Sequence, residues 1–256
     1  MEAAPKAIKI EAHEEVQDVP GERYFIRLNR SEKIQHMIFA GCFIALVVTG
    51  FITKIPEEII AHLGKYREPI FYYRSILHRI AGVVLICVCL YHVYYLFLKP
   101  AGRRWLVDML PRQKDVLDML FNLLYYLGLK KEAPEFDRFS YKHKMEYGAL
   151  IAGSTLMSVS GLILWTEYRW VKFIVDIAAV VHRMEAVLAC LAIIVWHLYE
   201  VLLKPGRSFF NDMWRTGLMT EEEMKEEHLG HYRKIMSDPK LQEIYILKKQ
   251  KEFVHS

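Results

Sequence analysis

Histidines inside long apolar segments are the residues of this 256-residue chain with the clearest chemical potential. His78 and His92 both fall within the apolar segment 76–98, fourteen residues apart. On an α-helix this spacing is about 21 Å and about 40° short of a whole number of turns, so both imidazoles point to nearly the same side. His182 and His197 repeat the arrangement in a later apolar segment. The pattern predicts two helices that hold metal cofactors between them.

Neutral imidazole is a common axial ligand of haem iron, and a bis-histidine haem takes one imidazole from each of two facing helices. A single intramembrane histidine can simply satisfy a hydrogen bond, but five at or in spans, clustered at two depths, favour ligation. Gly82 and Ala186, each four residues after a histidine, would give the macrocycle room against the backbone. Arg79 and Arg183 would either pair with haem propionates or anchor the helices at the membrane surface.

Four apolar segments are long enough to place these histidines inside a bilayer, which takes about 20 residues of helix. We expect spans at about 34–53, 76–98, 147–166 and 174–203. The second and fourth share an H-R…H…L-K-P pattern, and the first and third share V-T-G and V-S-G. Lys and Arg are concentrated on one side of these spans. The expected fold is therefore all-α, a four-helix transmembrane bundle made of a duplicated helical hairpin, with cytoplasmic N and C termini.

The sequence outside the spans is strongly charged and sets the expected domain limits. We expect a polar N-terminal tail over residues 1–30, a transmembrane domain over 31–205 and a charged cytoplasmic tail over 206–256. Residues 116–127 are apolar at helical spacing but too short to span, which predicts a helix in the membrane interface. The sequence shows no strand alternation.

Composition excludes several other classes of protein. The net charge of +4 does not suggest a nucleic-acid partner, and the four cysteines all lie in apolar runs, as packing residues do. Because C-x-x-C-H is absent, no covalent haem is expected. The charged first thirty residues argue against a cleaved signal peptide. Without iron–sulfur cysteines or a nucleotide-binding loop, substrate chemistry must belong to a partner subunit.

Several motifs carry a resemblance to a known family. From Arg30 to about Ile235 the chain resembles the cytochrome b (gamma) subunits of membrane-bound formate dehydrogenases and the related b-type cytochromes of nickel–iron hydrogenases. The first span has K-I-Q-H-M and V-V-T-G, and the second has R-S-I-L-H-R-I-A-G. The third has K-H-K-M-E-Y and S-G-L-I-L-W, and the fourth has V-H-R-M and W-H-L-Y.

The resemblance implies two b haems, a quinone site on the cytoplasmic side and a place in the prokaryotic inner membrane. Matched by position, His78 and His182 would bind the iron of the outer haem, and His36 and His197 that of the inner haem. The quinone, menaquinone or ubiquinone, would bind just before the third span. The residues there that would bind it or transfer protons are Ser140, Lys142, His143 and Glu146.

The chain departs from the family pattern at two points. His182 and His197 are fifteen residues apart rather than fourteen, which rotates the second imidazole by about 100° unless a local bulge absorbs the extra residue. His92 falls where the family needs no ligand. It would pair with His197 at the inner haem, or pack or hydrogen-bond beside that haem, or bind a third haem together with His143.

The function implied is that of a membrane b-type cytochrome subunit of a respiratory chain. It would carry electrons between the quinone pool and a partner, either iron–sulfur and catalytic subunits or a multihaem cytochrome c. One alternative is a quinone-independent transmembrane conduit to a c-type cytochrome. Another is a haem-free membrane anchor or proton relay.

Overall fold

The computed structural model describes residues 23–203 and 213–247. Residues 1–22 of the expected N-terminal tail and residues 206–212 and 248–256 of the expected C-terminal tail lie outside the described residues. The α-helices in chain order are α1 (Arg30–Phe51), α2 (Glu57–Ala61), α3 (Arg67–Leu98), α4 (Pro100–Met109), α5 (Gln113–Tyr126), α6 (Tyr141–Trp165), α7 (Lys172–Leu191), α8 (Met213–Thr216), α9 (Glu221–Glu227), α10 (Leu229–Ser237) and α11 (Pro239–Tyr245).

Four helical stretches are long and apolar enough to cross a membrane, as the sequence predicts. They are Arg30–Lys54, Gly64–Leu98, Tyr141–Trp165 and Lys172–Leu203. The second begins well before the expected position 76, because α3 starts at Arg67. Glu68 and Pro69 occupy its first turn, where an acidic side chain suits the helix dipole and a proline loses no intrahelical hydrogen bond. A hydropathy boundary marks where a helix becomes apolar, not where it starts.

Local chemistry also fixes the end of α3. Lys99 is extended (φ −102°, ψ 137°), the conformation favoured before proline, and Pro100 opens α4 at its first position. α4 then packs closely on the end of α3. A Cβ on Gly102 would collide with the backbone carbonyl of Tyr95, so this contact requires glycine.

The chain forms two compact units. Within the described residues, the first, here called the polar unit, holds 23–33, 111–143 and 213–247, and the second, the membrane unit, holds 34–110 and 144–203. Segment 111–143, which the sequence places inside the transmembrane domain, thus belongs to the polar unit. Helix α5 covers the predicted interfacial helix there.

The polar unit contains a small antiparallel sheet that the sequence does not predict. Strand β1 (Tyr24–Ile26) pairs with β2 (Leu218–Thr220), with Phe25 opposite Met219. Three-residue strands are too short to show a period of two, so the sequence carries no signal for them, and the described chain is otherwise mostly helical, as predicted. The buried residues of its core are Phe25, Met219, Met224, Ile235 and Tyr245.

Candidate functional site

His78 of α3 and His182 of α7 face each other inside the membrane unit. Their ring centroids are 6.4 Å apart and their planes lie at 66°. Each imidazole has a hydroxyl partner on a neighbouring span. Thr49 Oγ1 lies 2.7 Å from Nδ1 of His78, and Ser160 Oγ lies 2.9 Å from Nδ1 of His182.

These hydroxyls fix which ring nitrogen carries the proton. The single hydroxyl proton of Thr49 goes to the Ala45 carbonyl, 2.6 Å away, so the oxygen accepts the Nδ1–H of His78. Ser160 likewise donates to the Leu156 carbonyl at 2.6 Å. In both imidazoles Nε2 therefore carries a lone pair. Such a hydrogen bond on the other ring nitrogen is the usual support of a histidine that ligates a metal.

Glycines flank the two rings on the same spans as the hydroxyls. A Cβ on Gly50 would lie 3.6 Å from Cε1 of His78, and one on Gly161 would lie 3.3 Å from Cε1 of His182. A Cβ on Gly82 would have its nearest neighbour only at 4.0 Å. Among these glycines, the ones closest to the rings therefore belong to the V-T-G and V-S-G motifs, whose similarity is visible in the sequence but whose place beside the imidazoles is not.

His36 of α1 and His197 form a second pair in the membrane unit. Their ring centroids are also 6.4 Å apart, with planes at 45°. The partner of this pair is acidic, since Oε2 of Glu146 lies 3.8 Å from Nδ1 of His197. The other carboxyl oxygen of Glu146 is buried and has no hydrogen-bond partner among the described residues.

The extra residue between His182 and His197 is absorbed by a change of helix type. The chain after α7 is π-helical over Ala192–His197 and again over Tyr199–Leu203. A π-helical turn takes up one more residue than an α-helical turn, so His197 recovers the direction that a fourteen-residue spacing would give it. The expected local bulge is thus confirmed.

His92 uses both ring nitrogens in hydrogen bonds to other spans. Nδ1 lies 2.8 Å from Oε1 of Gln35, and Nε2 lies 2.7 Å from the hydroxyl of Tyr147. Because an amide oxygen only accepts, Nδ1 is the protonated nitrogen. In the neutral ring, Nε2 then accepts the Tyr147 hydroxyl. The structure therefore places His36, rather than His92, in ring contact with His197, and ties His92 to α1 and α6.

The two arginines predicted near the propionates are exposed. The guanidinium of Arg79 lies over the ring of Trp165, 5.6 Å from its centroid. Arg183 is exposed on α7. Both positions also suit anchoring at the membrane surface, the alternative role that the sequence suggests.

Three of the residues predicted for a quinone site lie in the polar unit. Ser140 precedes α6, and its backbone N–H and hydroxyl both lie within hydrogen-bond reach of Nδ1 of His143, at 3.2 and 2.8 Å. The His143 ring packs on that of His228, with centroids 5.8 Å apart. The ammonium of Lys142 lies 6.0 Å from the ring centroid of Tyr126. Glu146, the fourth, belongs to the membrane unit.

Arg27 is the centre of a buried polar cluster in the polar unit. Its Nη2 donates to the Arg138 carbonyl (2.6 Å) and to Nε2 of His228 (3.1 Å), and its Nη1 contacts Nδ1 of His231 (3.3 Å). His228 donates its own Nδ1–H to the Asp137 carbonyl (2.8 Å) and so accepts at Nε2. The tail motif E-E-H-L-G-H-Y-R signals the two histidines, but nothing in the sequence links them to Arg27.

We expect the polar unit to lose stability as the pH falls below about 6.5, the ordinary pKa of histidine. Burial, and next the Arg27 guanidinium, lowers the pKa of His231 to about 3 and that of His228 well below its usual value. Because both imidazoles stay neutral in the folded unit, at these two sites only the unfolded chain takes up a proton as the pH falls below about 6.5, down to about 3 for His231.

Hydrogen exchange of β2 and α10 at about pH 7.5 and about pH 5 measures this loss, after correction for the intrinsic exchange rate. The His231→Asn variant is the control, because its amide oxygen still accepts from Arg27 but does not titrate. It should show a smaller decrease. Equal protection of the unmodified chain at both pH values would contradict the prediction.

The geometry of both histidine pairs fits axial ligation of one metal each. Two imidazoles on opposite sides of one metal ion, at about 2 Å each, have ring centroids about 6 Å apart. Both pairs have 6.4 Å. Within residues 23–203 and 213–247 no group of three or more His, Cys, Asp or Glu could hold a metal ion. Isolated imidazole pairs are what a haem needs, since its macrocycle supplies the other ligands.

Comparison with known proteins agrees with this geometry. A family model described as prokaryotic cytochrome b561 matches residues 27–215. The chain is 24% identical over 220 residues to the formate dehydrogenase cytochrome b556(fdo) subunit of Escherichia coli K12, covering 82% of this chain and 92% of that protein. The same subunit of strains O6:H1 and O157:H7 matches equally. The resemblance drawn from the span motifs is thereby confirmed. The chain belongs to the prokaryotic cytochrome b561 family, as an integral inner-membrane b-type cytochrome for electron transfer with haem b as its cofactor.

Proposed function

We propose that this chain carries electrons between a partner redox subunit and membrane quinone through two bis-histidine b haems. The observation that carries the proposal is the presence of two imidazole pairs, each with ring centroids 6.4 Å apart, in the membrane unit. His78 and His182 would hold the outer haem, and His36 and His197 the inner haem. When bound, haem b supplies a one-electron ferric–ferrous couple at each site.

The protein's part is to present and orient the imidazoles. Thr49 and Ser160 hold the Nδ1–H of the outer pair, so that both Nε2 lone pairs are available to iron. About fifteen residues of helix separate His182 from His197, so the two proposed sites would lie about 20 Å apart, within the roughly 30 Å of the bilayer core. This separation suits transfer across the membrane.

The similar surroundings of His78 and His182 support a duplicated hairpin. In each case a hydroxyl and the glycine after it, Thr49-Gly50 or Ser160-Gly161, approach the imidazole from the preceding span. The excess of Lys and Arg beside the ends of the hairpins supports cytoplasmic termini, with the inner haem nearer that side.

His92 would act as a tie between spans, which leaves two haems rather than three. Its bonds to Gln35 and Tyr147 join α3 to α1 and α6. Gln35 directly precedes His36, so the tie holds the part of α1 that presents the inner ligand. A buried polar network of this kind is favourable only when each member is satisfied, and both ring nitrogens of His92 are.

Quinone would react beside the inner pair. The carboxyl group of Glu146 lies beside His197 and has one buried oxygen with no hydrogen-bond partner among the described residues. A group in this position suits a hydrogen bond to a quinone oxygen and the passage of its proton. The contacts of Ser140, Lys142 and His143 with quinone, either menaquinone or ubiquinone, stay predictions from the family.

The partner would be an oxidoreductase that this chain connects to the membrane. The relatives are named as subunits of formate dehydrogenase, so we propose iron–sulfur and catalytic subunits as the electron source or acceptor. A multihaem cytochrome c is the other partner suggested by the sequence. Identification of the proteins that co-purify with the chain distinguishes these partners.

Haem content and quinol reactivity test the proposed function. The purified protein should contain two b haems per chain, measured as the pyridine haemochrome. A soluble menaquinol or ubiquinol analogue should reduce them, and an inhibitor that resembles quinone should block the reaction. Absence of an alpha band would refute haem binding and favour an anchor or proton relay. Haems that respond to a chemical reductant but not to either quinol would favour the quinone-independent conduit.

A further inference from the structure

Arg74 is a half-buried cation near the outer end of α3. Its Nη1 donates to the backbone carbonyl of Thr49, 3.1 Å away. Its Nε is buried and has no hydrogen-bond partner in the part of the chain that the structure describes. No carboxylate of that part lies within ion-pair distance of Arg74.

A guanidinium at such a position calls for an anion. Burial of an unpaired charge is strongly unfavourable, and a cation near the apolar core of a membrane has little water to compensate for it. A guanidinium keeps its positive charge in proteins. The bond to the Thr49 carbonyl satisfies one donor but does not neutralise the charge.

Two features place Arg74 at the outer haem site. It precedes His78 by four residues, which is about one helical turn towards the membrane surface on the same side of α3. The two side chains also share Thr49 as a partner, Arg74 through its carbonyl and His78 through its hydroxyl. A haem held at His78 would bring two propionate carboxylates to this site, and these are anions that a nearby guanidinium could pair with.

An anionic lipid is the other source of a negative charge at this depth. Arg74 borders an open groove of about 600 Å³, lined also by Val48, Ile52, Tyr73 and Leu77. The walls of this groove are almost entirely apolar, so it offers an acyl chain a surface but offers a lipid headgroup little of the guanidinium. The buried donor is therefore better placed for a group inside the bundle than for one in the groove.

We propose that Arg74 pairs with a propionate of the haem held by His78 and His182. The inference rests on the proposed function and adds to it a haem-binding residue that is not one of the histidine ligands. The positive charge of Arg74 disfavours the further positive charge of ferric iron, and so raises the midpoint potential of this haem. The sequence assigned the propionates to Arg79 and Arg183, which follow the ligands directly and are both exposed.

The test is a redox titration of the full chain in a His36→Ala background, in which only the outer haem remains. Arg74→Gln keeps a donor for the Thr49 carbonyl but removes the charge, and should lower the midpoint potential of that haem. Arg74→Lys restores the charge and should restore most of the potential. The matched control is Arg67→Gln, an equal loss of charge two turns earlier on α3, where Arg67 pairs with Glu57 at 2.7 Å. It should leave the potential unchanged.

Three results would overturn the inference. An unchanged potential in Arg74→Gln would exclude the ion pair, and a decrease in Arg79→Gln alone would assign it to that residue. Loss of co-purifying anionic phospholipid in Arg74→Gln, measured by mass spectrometry without any shift of potential, would assign Arg74 to a lipid. These outcomes all require haem in the unmodified chain, so its absence there would refute the proposed function instead.

Discussion

The His36→Ala variant is expected to retain one b haem per chain, whereas His92→Ala retains both. The prediction follows from the difference between the two histidines in the structure. His36 lies 6.4 Å from His197, centroid to centroid, and His92 has both ring nitrogens in hydrogen bonds with Gln35 and Tyr147. An imidazole can bind iron only through a nitrogen lone pair, and neither nitrogen of His92 offers one without the loss of a buried hydrogen bond.

Two further variants complete this experiment. His182→Ala should also retain one haem, but the other one, so the reduced-minus-oxidised spectra and midpoint potentials of His36→Ala and His182→Ala should together reproduce those of the unmodified chain. In His92→Ala, two haems per chain should remain with a shift confined to the inner haem, because its ligand helix has lost a tie. Loss of one haem in His92→Ala would contradict this assignment and revive the pairing of His92 with His197. Three haems in the unmodified chain would revive the site shared with His143.

The sequence predicted the membrane-crossing helices because about 20 consecutive apolar residues are a local property that hydropathy detects. Spacing along a single helix also indicated that His78 and His92 point to nearly the same side at two depths, whereas the pairing of His36 with His197 came from the family resemblance. Hydropathy did not predict the start of α3 at Arg67, because the first turns of that helix are polar and aromatic. The fifteen-residue spacing of His182 and His197 showed that either His197 is rotated or a local bulge absorbs one residue, and the structure has a π-helical segment at Ala192–His197.

The partners of the histidines were not predictable in the same way. Thr49 and Ser160 lie far along the chain from the imidazoles they support, and side-chain pairing across helices depends on rotation of each helix about its axis. The same holds for Arg74 and the Thr49 carbonyl. Arg27 has the longest of these contacts along the chain, because its partners His228 and His231 lie more than 200 positions away. One sequence without an alignment offers no signal for contacts of this range.

Arg27→Leu is expected to destabilise the polar unit by several kcal/mol, a large part of the roughly 5–15 kcal/mol that keeps a typical domain folded. The substitution removes the donor for three buried acceptors: the Arg138 carbonyl, Nε2 of His228 and Nδ1 of His231. Each buried acceptor left without a partner costs about 1–3 kcal/mol. Burial, the largest cause of the lowered pKa of both imidazoles, is not removed with Arg27 and still opposes the uptake of a proton at neutral pH.

Arg233→Leu provides the matched control for this loss. Arg233 bonds both carboxyl oxygens of Glu135 at 2.7 Å, but the two side chains are 62% and 47% exposed. An exposed ion pair contributes about 0–1 kcal/mol, so this variant should stay close to the unmodified chain. Hydrogen exchange of β2, α10 and α11 in the purified protein reports both free energies, with the amides of the spans as internal reference. Arg27→Lys should resemble Arg27→Leu, because one ammonium cannot reach the separate acceptors that the planar guanidinium joins. Equal protection in Arg27→Leu and Arg233→Leu would show that the polar unit is held by its apolar core around Phe25 and not by this cluster.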